Sequence, residues 1–125
     1  MIVGIGVDLF DRRRGERELS ARPWQSTEGI ITAAEIRSCG TGKRGAARLS
    51  ACFAAKEAAL KALGAEVSDL ELLREVELTF KPGGEPAITL HARAQSLAQS
   101  LGVRHIWLSI VSAKEHAGAF VVMES

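Results

Sequence analysis

Asp8, Glu57 and Lys61 are charged residues set into bare or apolar surroundings, and their types suit chemistry on phosphate esters. Asp8 closes a strand face whose earlier members are Ile2, Gly4 and Gly6, and glycines there let a second backbone or a ligand come close. Glu57 and Lys61 border the apolar stripe of an alanine-rich helix, four residues apart and therefore on one face. Two carboxylates with open positions between them suit Mg²⁺, which takes oxygen ligands, keeps several waters and completes its shell with substrate phosphates. A lysine beside such a pair stabilises charge on phosphoryl oxygens. Plainer readings stay open at this point. An aspartate at a strand end also caps turns, and Glu57 with Lys61 is also an ordinary i,i+4 pair worth roughly 0.3 kcal/mol. Lying 49 residues apart, Asp8 and Glu57 can meet only through the fold.

Those side chains need a strand, a long helix and a way of packing one on the other. Residues 2–9 alternate, with Val3, Ile5, Val7 and Leu9 on one face and Ile2, Gly4, Gly6 and Asp8 on the other. The long helix reads from about residue 46 to 63 and stops at Gly64. Leu49, Phe53, Leu60 and Leu63 form its stripe while alanines cover most of the remaining circumference, so it is expected to be buried on several sides. Lys56 falls inside that stripe and needs a partner. Residues 11–22 read as a short charged helix, and Thr32-Ala33-Ala34-Glu35 as a capping box that opens a helix through about residue 38. Residues 40–45 read as a loop, which lacks the first glycine and the Ser/Thr of a P-loop. Strands over 76–81 and 87–91 flank Pro82-Gly83-Gly84-Glu85-Pro86 as a β-hairpin. A helix over about 92–101 and strands over about 104–111 and 117–124 follow. This order predicts one α+β domain over residues 1–125, with a mostly antiparallel sheet packed against the long helix.

Composition bounds the function. A chain of 125 residues with 46% hydrophobic and 25% charged residues and a net charge of +1 is an ordinary globular domain, not a disordered chain or a general nucleic-acid binder. No stretch approaches the eighteen or so apolar residues of a membrane span, and the N-terminus lacks a signal-peptide pattern, so a cytoplasmic protein is expected. Cys39 and Cys52 lack metal-ligand spacing and are expected to be reduced thiols. His91, His105 and His116 likewise lack ligand spacing, which disfavours zinc. Charge is uneven, however: Arg12, Arg13, Arg14, Arg17 and Arg22 face only Glu16 and Glu18 in the same window, a patch suited to an acidic partner.

Met-Ile-Val-Gly-Ile-Gly-Val-Asp at residues 1–8, Ile-Thr-Ala-Ala-Glu-Ile at 31–36, Phe-Ala-Ala-Lys-Glu-Ala at 53–58 with Lys-Ala-Leu-Gly at 61–64, and Gly-Glu-Pro at 84–86 resemble the holo-acyl-carrier-protein synthase family, the small 4′-phosphopantetheinyl transferases. The first and third elements are together specific, and the resemblance covers essentially the whole chain. It implies a 4′-phosphopantetheinyl transferase-like fold and transfer of 4′-phosphopantetheine from coenzyme A to a serine of an apo acyl carrier protein. It further implies Asp8 and Glu57 as Mg²⁺ ligands, Lys61 near the transferred phosphate, Arg14 on the carrier's acidic helix, and a homotrimer with sites between subunits. Arg17 and Arg22 extend the carrier-binding patch. Lys56, Lys61, Arg48, Pro86 and Ser109 are the expected coenzyme A contacts; Arg48 lies one helical turn before Cys52, where the family usually carries arginine. Two further departures are Asp11 in place of a glutamate, and Ser112 in place of the histidine of a Ser-x-Ser-His pattern. They keep open a second reading, a weakly active or inert homologue that binds a carrier protein or supports an assembly, and a third, recruitment of the fold to other chemistry.

Overall fold

The computed structural model describes residues 1–13 and 29–125. Strand β1 (Ile2–Asp11) pairs antiparallel with β5 (His116–Glu124), which pairs antiparallel on its other edge with β4 (His105–Ser112). Strands β2 (Val76–Phe80) and β3 (Pro86–Leu90) form a separate antiparallel hairpin. The helices are α1 (Ala33–Cys39), α2 (Gly42–Ala62), α3 (Leu70–Glu75) and α4 (Ala92–Ser100). This is the α+β architecture expected, with α2 lying across the β1-β5-β4 sheet. Among the described residues no helix is long and apolar enough to cross a membrane.

The glycines of β1 decide how strand and helix meet. A Cβ built on Gly4 would lie 1.8 Å from the Ala62 carbonyl oxygen, and one on Gly6 would lie 1.8 Å from that of Ala58. Strand backbone therefore rests directly on helix backbone. Two strand residues advance about 6.6 Å and four helix residues about 6.0 Å, so the two tracks stay nearly in step. Continued along β1, that step carries Asp8 to the turn at Ala54–Glu57 and Phe10 one turn further, where its ring stacks on Phe53 at 4.6 Å. Ala54, Ala55, Ala58, Ala59 and Leu60 of α2 pack with Val121, Met123 and Leu78 in one core. At its far end α2 closes on Gly64, at φ +72°, while Ala65 N–H donates to the Leu60 carbonyl.

The glycine face of β1 takes the helix, which leaves Ile5, Val7 and Leu9 53, 56 and 70% exposed on the other face. Helix α2 begins at Gly42, so residues 42–45, expected as loop, are its first turn. Helix α3 was not foreseen; six residues carry too little period to read, although Asp69 caps it by accepting from Leu72 N–H. The helix expected over 11–22 lies mostly outside the described residues, as do Arg14, Arg17 and Arg22, while Asp11 completes β1.

Candidate active site

Asp8 sits where the glycine track of β1 ends over α2. Its Oδ1 accepts from Lys61 Nζ at 3.1 Å, and the same ammonium donates to the Val7 carbonyl at 3.0 Å. Lys61 is thereby anchored to β1 through two bonds, and it fixes the Asp8 carboxylate on the helix side of the strand. The Asp8 side chain is 10% exposed and that of Lys61 44%. Asp8 Oδ2 is buried and finds no hydrogen-bond partner among the described residues. A buried carboxylate oxygen without a donor is costly, so this atom is suited to a cation. Glu57 lies one turn before Lys61, and from Leu49 to Leu60 it alone is only partly buried. The Asp8 carboxylate, a hard oxygen donor with one orphaned oxygen at the border of solvent, fits Mg²⁺.

Lys56 does not belong to that site. It is fully buried, forms an ion pair with Glu35 Oε1 at 2.8 Å, and donates to the carbonyls of Leu73 and Val76. Three acceptors use all three ammonium protons, which leaves none for coenzyme A; the expectation of a ligand contact is corrected by this geometry. Glu35 in turn accepts from Thr32 N–H at 2.9 Å and Leu78 N–H at 2.9 Å, so one carboxylate ties α1 to α2 and β2. Burial raises the Glu35 carboxyl above its ordinary range, partly opposed by Lys56, and the same burial lowers the Lys56 ammonium against the pull of Glu35. The hydrogen bonds nevertheless describe an ionised pair, since Glu35 only accepts and Lys56 only donates. Sequence reasoning identified Glu35 as a helix cap, and it is one; its second role could have been read from Lys56, a stripe lysine in search of a partner.

The remaining expected contacts fall in two places. Arg48 lies 4.7 Å over the Phe80 ring, and a Cβ at Gly84 would be 3.6 Å from its guanidinium, so Arg48 stands beside the 82–86 loop. Pro86 opens β3 opposite Phe80, which groups it with Arg48. Nine residues of helix separate Arg48 from Glu57, about 13 Å along the axis. Ser109 instead lines an outer hollow of about 170 Å³ with Val7, Asp8 and Leu9 of β1 and Val111 of β4. Arg12 donates to the Ala113 carbonyl at 2.7 Å, tying the end of β1 to the β4–β5 turn.

The family model of the 4′-phosphopantetheinyl transferase superfamily matches residues 4–121. The chain belongs to this superfamily. It is 35% identical to the holo-(acyl-carrier-protein) synthase of Koribacter versatilis, over 99% of both chains. The holo-(acyl-carrier-protein) synthase of Neisseria meningitidis superposes with a TM-score of 0.83 at 26% identity, over 100% of both chains. That of Bacillus anthracis, solved in complex with CoA (3′,5′-ADP), superposes with a TM-score of 0.78 at 31% identity, covering 100% of this chain and 98% of the other. Cys52 stands where the resemblance implies an arginine, and the fold has no room for one. The thiol is fully buried, 3.7 Å from Cys39 Sγ, and an arginine there would have to displace both Cys39 and the Leu78 carbonyl.

Proposed function

We propose that this chain transfers the 4′-phosphopantetheine group of coenzyme A to a serine of an apo acyl carrier protein, releasing adenosine 3′,5′-bisphosphate. The observation that carries the reading is the Asp8 carboxylate, buried against α2, with one oxygen on Lys61 and the other without a donor. In the reaction the serine oxygen bonds to the β-phosphorus, the bond from that phosphorus to the bridging oxygen breaks, and the serine proton is lost. Asp8 and Glu57 would hold Mg²⁺, whose charge would offset that of the pyrophosphate and acidify a bound water. Lys61 orients Asp8 and presents its half-exposed ammonium to the transferred phosphoryl oxygens. Arg48 and the Pro86 loop serve as the cationic cradle for the rest of the donor, replacing the charge that Cys52 does not supply. Arg14, Arg17 and Arg22 receive the acidic carrier protein.

The outer sheet face supports the homotrimer as part of the same reading. Ile5, Val7, Leu9, Trp107, Val111 and Phe120 are all exposed on the β1-β5-β4 sheet, more apolar side chain than a lone domain keeps in water. In the same proposal the site is shared between copies, Arg48 and the Pro86 loop of one serving the Asp8 of the next. The protein would work in the cytoplasm, among its coenzyme A and carrier substrates. A weakly active or inert homologue is the second reading, favoured by Cys52. Incubating the chain with coenzyme A, Mg²⁺ and an apo carrier protein decides between them: a carrier heavier by about 340 Da supports transfer, and an unchanged carrier mass supports the second reading.

A further inference from the structure

The only two cysteines of the chain lie thirteen residues apart and meet in the core. Cys39 closes α1 and Cys52 occupies the middle of α2; their sulfurs are 3.7 Å apart. The link between the helices holds them there. Gly40, at φ +82°, turns the chain, and Gly45 packs so closely on it that a Cβ would stand 2.4 Å from the Gly40 carbonyl oxygen. Two thiols already in van der Waals contact stand close to the separation from which a disulfide forms.

We propose that Cys39 and Cys52 form an intramolecular disulfide when the protein meets a peroxide, a covalent lock between α1 and α2. Cys39 is the sulfur oxidised first. It is 3% exposed against 0% for Cys52, and it stands in the last turn of a seven-residue helix, where local opening is cheapest. Burial and the neighbouring thiol raise Cys52 well above the ordinary thiol range, which keeps it protonated and unreactive toward solvent oxidants. In the first step hydrogen peroxide oxidises Cys39 to a sulfenic acid and one water leaves. Cys52 then attacks that sulfur, the S–S bond forms, its proton joins the departing hydroxyl, and a second water leaves. The pair loses two electrons and two protons, and the peroxide becomes two waters. The lock extends beyond the helices: Ser38, adjacent to Cys39, donates to the Phe80 carbonyl and accepts from the Phe80 N–H, so the same bond steadies the end of β2.

The test uses the native chain and hydrogen peroxide, followed by intact mass, peptide mapping and thermal unfolding with and without dithiothreitol. The expected product is a single chain with no covalent link to another, about 2 Da lighter, with the peptides holding residues 39 and 52 joined until reduction. It should unfold at least ~3 °C higher than the reduced chain, because the cross-link restricts the unfolded state. In Cys39→Ala the 2 Da loss should vanish. Oxygen addition at either cysteine without cross-linking, a disulfide between chains, or an unchanged mass after prolonged treatment would each overturn the proposal.

Discussion

Two lysines five residues apart on one helix have opposite fates, and the difference lies in what each can reach. Lys61, near the C-terminal end of α2, extends past the edge of the core to the Asp8 carboxylate and keeps 44% of its side chain in solvent. Lys56 points inward and spends every proton on Glu35 and two carbonyls. Removing one member of such a pair strands the other as an uncompensated buried charge, at a cost of about 3–5 kcal/mol. Glu35→Gln and Lys56→Met should each lose that much by denaturant unfolding, while Glu35→Leu/Lys56→Met should lose clearly less than the sum; additive losses would show the two charges to be uncoupled. The pH dependence carries a sign. Since burial raises the Glu35 carboxyl in the folded state, its contribution is largest below the ordinary value of 4.5 and declines as pH rises through the raised one. The stability difference between native and Glu35→Gln chains should therefore shrink with rising pH over that window, and a growing difference would contradict the direction of the shift.

Between elements, the decisive contact is backbone on backbone, where Gly4 and Gly6 meet Ala62 and Ala58. A methyl at Gly6 has to push β1 off α2, and with it Asp8 off Lys61. Gly6→Ala is expected to cost roughly 2–3 kcal/mol, the upper range of overpacking, and to depress transfer more than its loss of stability explains; full activity at unchanged stability would contradict this packing. This contact also marks the limit of what was legible beforehand. The strand, the long helix, the capping box and the hairpin each carry a local signature, so they could be read from the residues. The glycines announced a close approach by a backbone or a ligand without saying which, and alternation alone does not tell whether the apolar face of β1 is a core face or an exposed one. Glu57 and Asp8 could be suspected as a pair from type and setting, yet whether they meet is decided by the register of β1 on α2, which belongs to tertiary packing. Lys56 misled for the same reason: its helix position was plain, and its partner stood twenty-one residues away on a different helix.

At the scale of the whole molecule, the exposed sheet face and the arginine-rich segment each ask for a partner. Leu9, 70% exposed, lies on that sheet face, and Leu9→Arg should leave the monomer folded, dissociate the trimer in light scattering, and reduce transfer; a native chain that is monomeric at micromolar concentration would refute the assembly. Charge reversal at Arg14 should raise the KM for carrier protein, leave that for coenzyme A nearly unchanged, and lose its effect at high salt. Equal loss for both substrates would argue against docking there. The most direct test of the account is the carrier protein's mass after incubation with coenzyme A and Mg²⁺ and one of three enzymes: native chain, Asp8→Asn or Glu57→Gln. The native chain is expected to add about 340 Da to the carrier, and each folded variant to leave it unmodified over the same period, since phosphoryl transfer here rests on charge placed by those two carboxylates. Complete conversion by Asp8→Asn, or none by the native chain, would contradict the central claim.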